Sequence, residues 1–448
     1  MDIYDVIIAG GGCVGCSIAY NLSERYNGRF LLLEKEHSHA LHTSNLYRNS
    51  GNIHDGATED YVPGTKKHQL SPIGARKLIQ YCKNTEDKFG KPLVKKVGKL
   101  VVDTDCEKLE KIGERSRALG FNVSVINKQE LEKIQPIVVW GRKEDEDVYA
   151  LHHPDGYIIN SSAYVDSLVQ AAKANGVEFQ YNTKVAGLEE SSGQIKVKTN
   201  NGVLLTRYLV NAAGIHAITL ARHLGLGDDY TLIPVRGDFY EVVREKAKHI
   251  TSAIYQAPVK SAAAGTSNPQ HFHPSMDGRT YGGPTAVPIF GMELYSGKPE
   301  EGAVGSKYYL FELAKATLGF GGFWKLLMKK NFWNLSYKEF RKSLLPERLA
   351  LKYFLQDAKN LIPSIEKLDL VKSPHCGIRA QPLDKNGNMV PDTEIFRGEN
   401  SSHYFSPSPA LSLSMLFGES ESQGIAEKLD LKARQTSPTA KAEEQTRF

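Results

Sequence analysis

Long apolar runs are missing from this sequence. No stretch approaches the ~20 residues that a membrane-crossing helix needs, so the chain is not expected to span a bilayer. An excess of one charge is missing too. The 56 Lys and Arg outnumber the 51 Asp and Glu by only five over 448 residues, which gives no reason to expect a nucleic acid or another polyanion as partner. Cysteine is scarce: the five residues at 13, 16, 82, 106 and 376 fit reduced thiols in a cytoplasm-like compartment better than a disulfide framework. Cys13 and Cys16 form a C-x-x-C, but inside a glycine loop where small residues are wanted and with no second Cys/His pair nearby. No metal site is expected from them. The apolar stretch from Tyr4 to Ala9 begins almost at Met1 and runs into glycines without a basic leader, so no cleavable targeting segment is read there.

What is present is an ordinary globular composition, 41% apolar and 24% charged, long enough for two or three domains. The first thirty-five residues predict a strand, helix, strand unit: Val6-Ile7-Ile8, a Gly-rich turn, the small-residue helix Ser17 to Leu22, then Phe30 to Leu33 ending in Glu34-Lys35. A similar unit is expected from Ser162, where Tyr164, Leu168 and Ala172 recur at helical spacing before Gly176 and the strand Val177-Glu178-Phe179. A hairpin-like pair follows, Lys184 to Leu188 and Gln194 to Thr199, with Asn200-Asn201-Gly202 as its turn signal. The strand Tyr208-Leu209-Val210 then leads into Asn211-Ala212-Ala213-Gly214, so segments almost two hundred residues apart are expected in one nucleotide-binding sheet.

The fold class expected is α/β, α+β overall. Residues 1–90, 150–225 and 370–428 would form a discontinuous Rossmann-like domain; 91–149 and 226–369 would form a substrate-side domain with a mainly antiparallel sheet plus helices. Strands are expected at Lys96 to Asp103 and Thr231 to Val243, and helices within Tyr308 to Leu361. From Leu429 the composition offers hardly an apolar anchor, so 429–448 is expected to be a loose tail.

Gly10-Gly11-Gly12-Cys13-Val14-Gly15 is G-x-G-x-x-G between a buried strand and a helix start. Gly10 permits the tight turn, Gly12 leaves room for a pyrophosphate, and Gly15 lets helix and strand pack closely. The helix N-terminus offers N–H groups and partial positive charge to the anion. Glu34, nineteen residues after Gly15, can accept hydrogen bonds from ribose hydroxyls. NAD and FAD share this fingerprint. FAD is favoured because Ala213 and Gly214 end a strand with small residues and the C-terminal Ser406-Pro407-Ser408-Pro409-Ala410 could return to the same site, and a cofactor touched by three distant segments is a long one.

Further motifs occur in order along the chain. They are Asn49-Ser50-Gly51-Asn52-Ile53-His54, Val97 to Val102, Pro234-Val235-Arg236-Gly237-Asp238-Phe239-Tyr240, Asp277 to Pro288, Gly322-Phe323-Trp324, and Gly377-Ile378-Arg379-Ala380-Gln381-Pro382-Leu383-Asp384. From Asp5 to about Gly418 the sequence resembles the FAD-dependent oxidoreductases of the D-amino-acid oxidase type, and within them the L-2-hydroxyglutarate dehydrogenases/oxidases. The resemblance implies oxidation of a 2-hydroxy acid to a 2-oxo acid, with electrons passing to a quinone, another acceptor or oxygen. It also implies cofactor contacts at Lys35, Ser50, Gly51, Val185, Ser408 and Pro409, beside the glycines, Glu34, Ala213 and Gly214.

Hydride removal from a hydroxyl-bearing carbon requires the hydroxyl proton to leave as well, and His54 is the candidate base. Arg236 and Arg379 suit carboxylate binding, and a dicarboxylate would need two such clamps. His271 has two equal readings, a position facing the flavin or a hydrogen-bonded structural histidine. His152 and His153 precede the turn Pro154-Asp155-Gly156 and are expected to face solvent. The sequence departs from the resembling loop. Arg48 replaces a histidine, Asp55 replaces an alanine, and Ala57-Thr58-Glu59-Asp60 displaces a pair of tyrosines, so that the accepted acid could be re-tuned or the entrance covered. An amino acid or glycerol 3-phosphate as donor, or a flavoprotein without turnover, are the alternatives. Finally, Phe320, Phe323, Trp324, Leu327, Phe332 and Trp333 alternate with Lys325, Lys329 and Lys330. Residues 320–333 could rest on the inner face of a membrane, or their aromatics could pack into the protein itself.

Overall fold

The computed structural model describes residues 3–59, 61–258, 270–288, 318–330, 332–333, 337, 341–342, 345–390, 392–405 and 409–434. Two sheets organise them. The first begins with Ile3–Ala9, which pairs in parallel with Phe30–Leu33 on one side and with Gly202–Asn211 on the other. The predicted union of distant segments is therefore a hydrogen-bonded register, Val6 opposite Tyr208 and Ala9 opposite Asn211. Glu178–Gln180 and Ser401–Phe405 extend the parallel part. Alternating side chains of the first strand feed two cores. Val6 and Ile8 pack toward helices Cys13–Arg25, Lys66–Phe89 and Ser161–Ala174, whereas Ile7 and Ala9 pack with Leu188, Ile195 and Val197.

The hairpin is present, with its turn elsewhere than predicted. Val185–Ser191 and Gln194–Thr199 are joined at Ser192-Gly193, both at positive φ, which suits the twist of a two-residue hairpin. The Asn200-Asn201 turn instead joins Gln194–Thr199 to Gly202–Asn211.

The second sheet is antiparallel except where Lys99–Asp103 runs parallel to Ala253–Gln256. Near one end of it Tyr230–Val242 makes a long pairing with Leu370–Asp384. By hydrogen bonding Leu370–Asp384 and Tyr149–His153 belong to the second sheet, whereas the ranges above set 370–384 and 150–153 with the cofactor-binding segments. The predicted strand from Lys96 is split, because Gly98 at φ +72 separates Val94–Lys96 from Lys99–Asp103. Helix Glu347–Leu361 packs Phe354, Ala358 and Leu361 onto this sheet.

The last helix, Ala410–Leu429, lies against Cys13–Arg25 so closely that a Cβ at Gly418 would be 2.7 Å from the Ser17 carbonyl oxygen. Beyond it the chain is held to Arg434, which donates to the Ser23 and Asn175 carbonyls. The expected tail thus starts later than Leu429, and 435–448 lie outside the described residues.

Candidate active site

The cofactor loop is shaped by contacts that only glycine permits. Gly10 sits at φ +115, and a Cβ there would strike the Ala212 carbonyl oxygen; a Cβ at Gly15 would strike the Gly10 carbonyl oxygen. Ala212 and Ala213 are thereby brought beside Gly10, and Gly214 follows them at φ +56. A Cβ at Gly12 would meet only Ser44 Oγ, at 3.2 Å. Gly12 is thus not glycine for the sake of backbone packing, which fits a loop that leaves space for a ligand. It precedes a helix with no acidic residue in its first turn and no side-chain cap from Gly12. Glu34 is held at the loop by the Gly11 N–H, at 2.7 Å, and the Glu36 N–H, at 3.0 Å. Lys35 pairs with Glu36 at 2.9 Å. Val185 opens its strand two residues after Thr183, whose N–H donates to the Glu34 carbonyl. These residues fit the adenosine and pyrophosphate of FAD.

A loop runs from this cradle to the second sheet. Ser44 Oγ accepts from the Cys13 N–H at 2.9 Å, Gly51 turns at φ +66 beside Ser50, and the His54 N–H donates to Ser412 Oγ at 2.9 Å, at the start of the last helix. Pro409 caps that helix; Ser408 lies outside the described residues. The two ends of the loop are thus tied to two helix N-termini. Arg48 is buried and donates to the Pro374 carbonyl and Cys376 Sγ, so it anchors the loop to Leu370–Asp384.

Two of the acids that depart from the resembling loop, Asp55 and Glu59, turn inward; Asp60 lies outside the described residues. Lys99, fully buried, reaches Asp55 Oδ1 at 3.0 Å and Glu59 Oε1 at 3.1 Å. Glu59 Oε1 also meets His54 Nδ1 at 3.0 Å, while its Oε2 accepts from the Gly56 and Thr58 N–H groups. Asp55 Oδ2 meets His153 Nε2 at 3.0 Å. Burial alone would push both carboxyls up, but the Lys99 charge and the histidine bonds outweigh it and hold both low. His153, expected at the surface because a turn follows it, is 1% exposed: alternation in Tyr149–His153 directs it inward, to Asp55. His152 is half-buried.

The two candidate clamps part company. Register places Val235 opposite Arg379 and Arg236 opposite Ile378, so the guanidinium groups leave the sheet on opposite faces. Arg236 Nε pairs with Asp238 at 3.1 Å. Two arginines on one dicarboxylate, as the sequence suggested, are therefore not brought together. The Arg379 face is the one the loop covers, since a Cβ at Gly377, two residues before, would be 2.7 Å from the Arg48 carbonyl oxygen. Arg379 is half-buried beside Tyr61 and Lys67: desolvation lowers its pKa to about 10, and desolvation plus the Arg379 charge lowers Lys67 to about 7 against the pull of Asp392. Lys67 and Tyr61 were missed, because one lies in the first turn of a charged helix and the other directly follows Ala57-Thr58-Glu59-Asp60, where the sequence departs from the resembling loop.

His271 is buried and stacks on Tyr255, ring centres 4.6 Å apart, in a group with His273 and Phe239. His375 was also missed. It lies in the same group, its Nε2 2.6 Å from the Asn49 carbonyl oxygen, and burial lowers it to about 4. In the basic aromatic segment, Phe320, Phe323 and Leu326 pack with Ile233 and Leu383, while Trp324, Met328 and Trp333 point outward. Lys325 and Lys329 bond to the turn at 385–388. No helix among the described residues is long and apolar enough to cross a membrane.

The sequence matches the family described as FAD dependent oxidoreductase, DAO, over residues 5–412. It is 29% identical over 423 residues to L-2-hydroxyglutarate dehydrogenase of Indibacter alkaliphilus, covering 93% of this chain and 97% of that one. It is 28% identical to mitochondrial L-2-hydroxyglutarate dehydrogenase of Homo sapiens, covering 87% and 80%. L-α-glycerophosphate oxidase of Mycoplasma pneumoniae, solved with FAD bound, shares the fold with a TM-score of 0.70 at 23% identity over 97% of each chain. Glycine oxidase of Geobacillus kaustophilus does so with 0.66 at 17% identity over 95% of each. With the family matched over nearly its whole length and the glycine cradle in place, the chain belongs to the FAD-dependent oxidoreductases of the DAO family, enzymes that use FAD as cofactor.

Proposed function

We propose that this enzyme oxidises L-2-hydroxyglutarate to 2-oxoglutarate. FAD, when bound, supplies the acceptor for a hydride from the carbon that carries the hydroxyl. His54 takes the hydroxyl proton at Nε2, since its Nδ1 is engaged by Glu59. Arg379 and Lys67, on the face the loop covers, bind carboxylate, and burial strengthens both attractions by excluding water. Arg236, held by Asp238 on the other face, has no contact with substrate in this reading and supports the sheet. His271 stacks behind Tyr255 as part of the wall.

The observation that supports the proposal is His54 on the loop that starts at the cofactor cradle, together with two partly buried cations beside one another, Arg379 on the strand Leu370–Asp384 and Lys67 on the helix Lys66–Phe89. The names of the similar sequences support the substrate. A second reading, glycerol 3-phosphate as donor, is supported by the shared fold with L-α-glycerophosphate oxidase and by the same two cations, which suit any small anion. Turnover with a dye acceptor should be seen with L-2-hydroxyglutarate and not with its D enantiomer, glycerol 3-phosphate or amino acids; preference for glycerol 3-phosphate would establish the second reading. The physiological acceptor in this proposal is oxygen or a quinone, the latter reached across the outward Trp324, Met328 and Trp333.

A further inference from the structure

The buried charges behind the loop form one connected group. Lys99 bridges Asp55 and Glu59, Asp55 holds His153, and Glu59 holds His54. With both imidazoles neutral, one cation against two carboxylates leaves the group one positive charge short. Two histidines could supply it, and they differ in access. The His153 side chain is 2% exposed, whereas that of His54 is 22% exposed. Also around the two acids are the phenols of Tyr61 and Tyr255, and Asp155, which is paired with Lys96. Burial and the neighbouring carboxylates push both phenols well up, which keeps them neutral.

We infer that Glu59 is the positioning residue of the base: it fixes the proton of neutral His54 on Nδ1 and so presents Nε2 to the substrate hydroxyl, while Lys99, itself held by Asp55, keeps Glu59 in place as the anion this requires. The inference rests on the reading of His54 as base. When the hydroxyl O–H breaks, its proton goes to Nε2 and the electron pair stays on oxygen. The imidazolium then lies 3.0 Å from a carboxylate, and the buried group becomes neutral overall. Glu59 suits this role because every other position around its carboxylate is a donor: Lys99 Nζ at Oε1, and the Gly56 and Thr58 N–H groups at Oε2. It can only accept, so Nδ1 must donate.

Glu59→Gln breaks that logic in either orientation. An amide NH2 turned toward His54 demands an acceptor there and moves the proton to Nε2; turned the other way, it faces the Gly56 and Thr58 N–H groups. The first test needs no substrate. In the FAD-loaded enzyme with 15N-labelled histidine, the His54 signals, identified by their loss in His54→Ala, should show Nδ1 protonated and Nε2 bare. Glu59→Gln should shift them toward Nε2–H, and Glu59→Asp, which keeps the charge, should restore the first pattern at least in part. Finding Nε2–H in the unaltered enzyme overturns the inference.

The second test is the rate of flavin reduction by L-2-hydroxyglutarate. Glu59→Gln should lose on the order of 10²-fold in kcat with little change in KM, and should cost nothing further when His54 is already Ala. An equal loss in the His54→Ala background overturns the inference, since Glu59 would then act independently of His54. If no hydroxy acid reduces the flavin, the substrate reading fails, and the tautomer still decides the role of Glu59.

Discussion

Lys99→Met removes the cation on which the buried acids depend. At an effective dielectric near 20, each ion pair at about 3 Å is worth ~5 kcal/mol of attraction, and two of them offset the desolvation of one ammonium and two carboxylates. Removing one partner of such a buried set costs about 3–5 kcal/mol, because the remaining charges stay buried and uncompensated. That is a large part of the 5–15 kcal/mol typical of a native protein. The loss has a pH signature. Asp55 and Glu59 are held below their unfolded values, so their contribution is complete above an unfolded pKa of about 4 and is lost as pH falls toward the lower folded values. In the variant the Lys99 share of this depression is gone, and only the histidine bonds and the Ala57 N–H to Asp55 remain to oppose burial. The gap between the two proteins in urea midpoint, converted with a common slope, should therefore be full at pH 7 and close as pH drops below about 4. Adding Asp55→Asn should recover part of it by removing one stranded carboxylate. A difference under about 1 kcal/mol at pH 7, or one that does not change with pH, would refute the reasoning.

Lys67→Met should raise KM for L-2-hydroxyglutarate on the order of 10- to 100-fold, about 1.4–2.8 kcal/mol, with a smaller effect on kcat. Because Lys67 is lowered to about 7, it loses its charge above that pH, and KM of the unaltered enzyme should rise from neutral to alkaline pH. That rise should vanish in the variant. His375 and His403 are both lowered by burial from 6.5 to about 4, so the unfolded chain takes up their protons first on acidification. Stability should fall between pH 6.5 and 4 by up to about 3 kcal/mol for each, and because His273 and His152 are lowered as well, the slope should lessen by one histidine's share in a His403→Gln variant followed by urea unfolding. Gly10→Ala should abolish FAD retention, because its Cβ meets the Ala212 carbonyl; a yellow, fully loaded variant after gel filtration would count against the cradle.

The cofactor cradle was legible in the sequence because its constraints are local: Gly10, Gly15 and the end of the next strand are tied to one another by spacing. The resemblance extended that reading to His54 and Arg379. Contacts made across sheets were not legible. Whether Arg236 and Arg379 share a face depends on register between strands some 140 residues apart, and one residue of offset separates them. His153 faces a carboxylate donated by a loop almost a hundred residues earlier, so the turn after it gave a misleading signal. Asp55 and Glu59 were visible as departures, but their partner Lys99 stood in an apolar strand motif with nothing nearby to announce a buried charge.

The central claim is that L-2-hydroxyglutarate gives up the hydrogen on its hydroxyl-bearing carbon to bound FAD. Anaerobic stopped-flow of the loaded enzyme with the L acid, and with the same acid deuterated at that carbon, tests it directly. The flavin colour should bleach with the L acid, more slowly with the deuterated form, and not with the D enantiomer. A flavin that stays yellow with the L acid while glycerol 3-phosphate or an amino acid bleaches it would contradict the account.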